Sequence, residues 1–409
     1  MKDYPIDLLR SLVFLKIVHT DNYKLCCEVT LPEDFLLNNC HVYAIQDLLA
    51  SCKDLLKSNV YRVFLWLFAT LSVVGNVGSF VARLYLGSKG AGLGSFSIIV
   101  GNLSMADFFM GVYLAIIGVA DQIYRGKYFW HDGQWRESIV CKVAGFLSLM
   151  SSEVSAFIIC LITLDRFLAL RFPFSRLHFS RRSALAACTI VWIDGIVLAT
   201  VPLLPVTSHW EFYSQTGICI PLPFTTRKRF HGYDYSFSVM IILNFILFLL
   251  IAVGQAIIYW SVRSNSISSS KNTGSRDATI ARRLTTIVLS DFLCWFPIGL
   301  LGLLAYTGTP IPDEVNVAVA IFVMPFNSAL NPFLYTFNVL MEKRMKAQEM
   351  YLLKRLEYEM CTEQSDAVLV VSLTVNKSTA IELIKTWYVE QVLTKEDILS
   401  CGSMKASHQ

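Results

Sequence analysis

Apolar residues along this chain gather in seven long blocks, each nearly free of charge. Val63 to Ala82 carries none, Ser95 to Ala120 only Asp107, Val143 to Leu164 only Glu153, and Ser183 to Thr207 only Asp194; Tyr235 to Val262 has none, Leu284 to Pro312 only Asp291, and Val315 to Met341 none. Every block reaches the roughly 20 residues that an α-helix needs to cross about 30 Å of hydrocarbon. Inside lipid each backbone N–H and C=O must be paired within its own segment, which predicts helix even through the β-branched runs. The pattern therefore predicts an all-α protein, a seven-transmembrane helix bundle over residues 59–341.

The flanking regions read differently. Within residues 1–58, "LLRSLVFLKIVHTDNYKLCC" has the leucine spacing of a last leucine-rich repeat running into a cysteine-bearing hinge. A solitary repeat cannot bury its own face, so further repeats are expected upstream. Within residues 342–409, Glu342 to Met360 mixes Lys343, Arg344, Lys346, Lys354 and Arg355 with Met345, Met350, Tyr351 and Leu352, which predicts an amphipathic cytoplasmic eighth helix on the inner leaflet. Beyond it "AVLVVSLTV" is strand-like, and helix starts at Thr379 to Glu382 and Thr394 to Asp397 predict a small helical docking module.

Composition sharpens the membrane reading. Apolar residues make up 54% of the 409 and charged residues 16%, against roughly 45–50% and about 25% in soluble domains. Charge then sets the orientation. The connection between spans three and four holds Arg166, Arg171, Arg176, Arg181 and Arg182 without an acid, and that between five and six holds Arg263, Lys271, Arg276, Arg282 and Arg283 against Asp277. Basic connections stay cytoplasmic, so the N-terminus is expected outside and the C-terminus inside a plasma-membrane protein. Six of the eleven cysteines then fall outside: Cys26, Cys27, Cys40, Cys52, Cys141 and Cys219. An even number in an oxidising compartment predicts disulfides. Cys141 to Cys219 would tie the longest outer loop to a helix end, while the other four allow three pairings. Cys160, Cys188 and Cys294 lie within spans as packing residues.

Polar side chains within lipid are expensive and mark function by default. At about 1.5 Å per residue, Asn76, Asp107, Ser155, Asp291, Asn327 and Asn331 fall at similar depth, on the order of 9–18 Å from the cytoplasmic face. A lone carboxylate there must be protonated or hold a cation, and Ser155, Asn327 and Asn331 offer neutral oxygens for an allosteric sodium ion. No other cofactor is expected. The bland alternative is interhelical glue, each group worth about 1 kcal/mol or less. Glu153 and Asp194 have no evident partner. Pro297 in "DFLCWFPIG" predicts a hinge in span six beside Trp295 and Phe296, and Pro332 lets span seven deform near its inner end.

"GN" at 75–76, "LSMAD" ending at Asp107, "DRF" at 165–167, Trp192, "FLCWFP" ending at Pro297 and "NPFLY" ending at Tyr335 occur in the order of the rhodopsin-like G-protein-coupled receptors, and the chain resembles that family over all seven spans. Within it, "DLLKSNVYRVFLWL", "YRGKYFWHDGQWRES", "SSEVS" and "MPFNSALNPFLYT", with Asp291 where most members have Phe, resemble the leucine-rich-repeat hormone receptors of the relaxin-receptor branch and its molluscan relatives. The resemblance implies roles. Asp165 and Arg166 would hold the resting state, Arg166 being freed to meet a heterotrimeric G protein. Asp277 would latch that arginine from span six. Asp107, Ser155, Asn327, Ser328 and Asn331 would form the sodium pocket, Trp295 the toggle, and Tyr335 the tyrosine that swings inward. A peptide or protein hormone, membrane lipid and a receptor dimer are the other expected partners, and no nucleic acid is. This sequence departs from the family with Phe167 for Tyr, no proline in span five, and Gln255 where many members carry Tyr.

Other classes fit less well. A retinal protein needs a lysine in span seven, and Val315 to Met341 has none. A transporter should show repeat symmetry between halves, which is lacking. "GSKGAGLG" lacks the order of a phosphate loop and reads as a turn, so no enzyme is expected. The remaining alternative is a non-signalling decoy that sequesters a full-length partner.

Overall fold

The computed structural model describes residues 53–86, 94–172, 179–210, 212–220, 231–268, 290, 294–309 and 319–337. It also describes 12, 14–20, 23–27, 31–32, 34, 36 and 39–42 near the N-terminus, and 348, 350–352 and 355 in the tail. Span one is Asn59–Leu86, span two Ser95–Ile123, span three Ile139–Arg171 and span four Arg181–Thr200. Span five joins Tyr233–Phe237 and Asn244–Ser268 through a wide π turn, Ser238–Leu243. These five are long and apolar enough to cross a membrane. The described part of span six is the shorter apolar helix Cys294–Tyr306. Span seven runs through Val319–Val323, Met324–Pro332 and Phe333–Phe337.

Span three is the axis of the bundle. It packs against spans two, four and five, and 72% of its apolar window is buried against 28% for span four. Ile99, Ile117, Val154 and Ile158 are fully enclosed, whereas Val63, Val74, Ile190, Val197, Leu250 and Val253 face outward. Outward apolar rows of this extent belong against lipid, since soluble monomers rarely expose contiguous apolar patches so large. Asp194 lies among them as an exposed residue.

The helices depart from the sequence expectation at their ends and turns. Span four stops at Thr200, not Thr207, because Pro202 and Pro205 lack the N–H that would continue it; the chain proceeds in 3-10 turns, Val201–Leu203 and Pro205–Trp210. Span three runs past the charged pair to Arg171, so Asp165 and Arg166 lie within the helix rather than in a loop. Span seven is in π register up to Val323, two residues before Pro325, and again from Phe333, immediately after Pro332. Span five widens without a proline, and there the Asn244 side-chain amide donates to the Val239 carbonyl at 3.1 Å.

Outside the spans, Tyr128–Glu137 is a short helix following span two. Near the N-terminus, strands Val18–Thr20 and Cys40–Val42 pair in parallel, Val18 opposite Cys40. The Cys26–Cys40 disulfide ties the turn after the first strand to the second, and the offset from Val18 to its partner Cys40 lies within the roughly 20–29-residue period of a leucine-rich repeat. Cys27 is also disulfide-bonded, while Cys52 lies outside the described residues. Cys160, Cys188 and Cys294 are not in disulfides.

Val339–Gln409 forms a compact unit of its own. Gln348, Met350, Tyr351, Leu352 and Arg355 are helical there, with exposed side chains. The rest of the expected eighth helix, the strand-like run and the two helix starts lie outside the described residues.

Candidate functional site

Asp107 is fully buried in span two. Its Oδ1 accepts hydrogen bonds from Ser155 Oγ of span three at 2.9 Å and Ser328 Oγ of span seven at 3.0 Å. Its Oδ2 accepts from Asn331 Nδ2 at 2.7 Å. One carboxylate thus gathers three spans. A carboxylate with two hydroxyls is the hard-oxygen donor set that suits sodium, so the residues present fit that ion. Asn327 joins a different contact, its Oδ1 accepting from the Cys294 thiol of span six at 3.2 Å.

Proline chemistry explains the neighbouring contact. Pro332 has no N–H, so the Ser328 carbonyl one turn earlier loses its helical donor. Asn76 Nδ2 of span one supplies the missing hydrogen at 2.9 Å, while also donating to Ser72 O at 2.8 Å. Gly75 makes the approach feasible: a Cβ there would stand 3.1 Å from Pro332 Cγ. Further along the same seam Ser104 Oγ donates to Ser79 Oγ, Ser79 bonds Thr336, and Arg83 donates to the Tyr335 carbonyl at 2.8 Å and Thr336 Oγ1 at 3.1 Å.

At the end of span three beyond this layer, Asp165 accepts from Arg166 through Nη2 at 2.6 Å and Nε at 3.1 Å. The Arg166 side chain is 39% exposed, and that of Asp165 only 7%. The guanidinium also lies over the Phe96 ring of span two, 4.0 Å from its centroid. Gln255 donates to Thr163 at 3.0 Å, binding span five to span three where many family members carry a tyrosine. Glu153 Oε1 accepts from Asn244 of span five at 2.8 Å, the partner its sequence context did not reveal.

The opposite end is capped by the Cys141–Cys219 disulfide. Trp135 Nε1 donates to Gly217 O at 2.7 Å, Tyr113 OH to Ile218 O at 3.0 Å and Tyr213 OH to Ala199 O at 2.7 Å. Span one joins through Arg62, paired with Asp121 at 2.6 Å and Asp54 at 2.9 Å. Asp54 also accepts from the Gly126 N–H at 2.8 Å. Burial pushes the Asp54 carboxyl upward, but that N–H and the Arg62 guanidinium outweigh it and hold the group below the usual carboxylate range. Beside the cap lies a cleft of about 560 Å³ lined by Asp132, Arg136, Glu137, Lys142, Tyr213 and Gln215.

Of the residues singled out from sequence, Asn76, Asp107, Ser155, Ser328 and Asn331 share one network, Asp165 and Arg166 are paired, and Cys141 is bonded to Cys219. Trp295 is half-buried against the core, and Tyr335 and Pro332 are buried in span seven. Pro297 falls in the first turn of the described part of span six. Asp277 and Asp291 lie outside the described residues. Sequence reasoning passed over Arg83, Phe96, Asn102 and Asn244. Asn102 Oδ1 accepts from Trp192 Nε1 at 3.0 Å, and an amide within an apolar block was the available signal. Arg83 and Phe96 carried none, because a basic residue ending a span and an aromatic opening one are ordinary.

These features match a known family. Residues 91–335 match the family described as 7 transmembrane receptor (rhodopsin family). The chain belongs to that family. It is 38% identical over 331 residues to G-protein coupled receptor GRL101 of Lymnaea stagnalis, covering 81% of this chain and 28% of that protein. It is 32% identical over 294 residues to relaxin receptor 2 of Canis lupus familiaris, with 71% and 40% covered. The thyrotropin receptor of Ovis aries is 28% identical over 339 residues, with 82% and 41% covered. The chain therefore spans between about a quarter and two-fifths of the length of these curated relatives.

Proposed function

We propose that this chain carries the transducing part of a plasma-membrane hormone receptor, which turns binding of a peptide or protein hormone into activation of a heterotrimeric G protein. The observation that carries the reading is the Asp165–Arg166 pair, closed at 2.6 Å at the end of the most buried span with its guanidinium reachable from solvent. Family membership supports coupling, and relatives named relaxin and thyrotropin receptors support the ligand class. The disulfide end faces outside with the N-terminus, as the basic connections at the arginine end favour; the charged cleft beside the cap is suited to a polar peptide.

Activation is a population shift between two packings of the bundle. Ligand engagement at the disulfide end favours the packing in which span six swings about Pro297 and Arg166 leaves Asp165. Arg166→Ala is expected to leave surface expression intact and abolish nucleotide exchange; unchanged coupling would refute the role. A parent chain that never stimulates exchange would favour the decoy reading instead.

Sodium is the proposed allosteric ligand of Asp107, with Ser155 and Ser328 supplying neutral oxygens. It would stabilise the resting packing by holding spans two, three and seven together. Asp107→Asn should erase any sodium dependence of basal exchange, and a dependence that persists would count against the site.

A further inference from the structure

We infer that Phe96 is a positioning residue that parks Arg166 in the resting packing through a cation–π contact, resting on the reading of Arg166 as the coupling residue. Three observations on different spans carry it. The Arg166 guanidinium stands 4.0 Å from the Phe96 ring centroid, well within the roughly 6 Å at which the ring quadrupole attracts a cation. Asp165 binds the same guanidinium from its own helix, one residue away, and so cannot tell one packing of the bundle from another. Phe96 belongs to span two and can. A second guanidinium, Arg83 of span one, lies 5.8 Å from the same centroid. Arg83 is anchored on span seven through the Tyr335 carbonyl and Thr336.

The ring thus contacts both the coupling arginine and a cation fixed to the Pro332-deformed end of span seven. The Arg166 half of the pair is open to water, which screens it there, so an aromatic face closing one side of the guanidinium adds to its hold. Displacement of span seven shifts Arg83 relative to the ring, and movement of span three away from span two removes the ring from Arg166. Release of the arginine then breaks two contacts, only one of which is internal to span three.

A shape-conserving series tests this in the full chain. Mono-, di- and trifluorinated phenylalanine at position 96 withdraw charge from the ring face while keeping its size. Basal nucleotide exchange per surface receptor should rise stepwise, by roughly two- to five-fold at the end of the series. Phe96→Leu should match or exceed that rise, and Phe96→Trp should stay at or below the parent. A flat series with normal surface expression overturns the proposal. Fluorine NMR of the purified chain with monofluorophenylalanine at 96 gives a readout that needs no signalling: the resonance should move in Arg166→Gln and stay in Arg182→Gln. An unmoved resonance in Arg166→Gln likewise overturns it. The failures are separable, since Arg166→Ala with normal exchange and a shifted fluorine signal removes only the coupling reading. Arg166→Ala without exchange beside a flat fluorinated series removes only the role of Phe96.

Discussion

At the disulfide end, span three is tied to the segment ending at Ile220 by Cys141–Cys219, and Tyr113 and Trp135 donate to backbone carbonyls of that segment. Span one is pinned there by Arg62 on two carboxylates. At the arginine end, the described contacts of Arg166 are one adjacent carboxylate and one ring. Covalent and buried contacts at the first end resist change, whereas partly exposed contacts at the second are individually weak and water competes for them. A bundle built this way moves at the arginine end while the cap keeps its shape. The Asp107 layer lies between, buried yet polar, where a change of packing rearranges hydrogen bonds instead of breaking apolar contacts.

The comparison breaks most readily at the cap. A Cβ on Gly145 would stand 2.3 Å from Tyr213 Cδ1 and 2.4 Å from the Cys219 carbonyl. Gly145→Ala should therefore lower stability by about 3 kcal/mol, the upper part of the overpacking range, visible as a lower melting temperature and lost surface expression without elevated basal exchange. A melting curve like the parent's would mean that the cap yields more easily than its contacts imply.

The middle layer should respond less. Asn76→Ala leaves the Ser328 carbonyl beside Pro332 without its donor, at a cost of about 1–3 kcal/mol for a buried unsatisfied group. Thermal unfolding in detergent measures it. If Asn76→Ala equals the parent while Gly75→Ala is damaging, close packing rather than the hydrogen bond joins spans one and seven.

The smallest effect concerns acid. Because the Asp54 carboxyl is held below its ordinary value, its contribution to stability is fully present above the unfolded value near 3.9 and is lost as pH falls through the lower folded value. Asp54→Asn should remove a shallow acid limb from the melting temperature below about pH 4 and change little at neutral pH. Equal slopes in parent and variant would show that this partly exposed pair adds nothing to the cap.

Several parts of the site were legible in the sequence because lipid makes local composition decisive. A charge such as Asp107 within an apolar block is conspicuous, and its depth follows from helical rise alone. The same arithmetic put Asn76, Ser155 and Asn331 in one layer with it. Ser328 came with the family resemblance, because serine in a span is common. Asn327 was grouped with the others by depth, but its side chain meets Cys294, since depth says nothing about rotation about the helix axis.

What the chain determined by itself is the number of spans, the polar layer and the basic connections, all of which depend on one-dimensional quantities: block length, charge and rise per residue. Only the tertiary structure decided which helix faces which. Asn244 meets Glu153 because a π turn in span five rotates its later residues. Asn76 meets Ser328 because a proline in one span frees a carbonyl for another. Arg166 meets Phe96 because the charged end of span three comes against an ordinary aromatic at the start of span two. Such pairings rest on crossing and rotation of helices, which lipid, solvating every outward face alike, leaves to packing among the helices themselves.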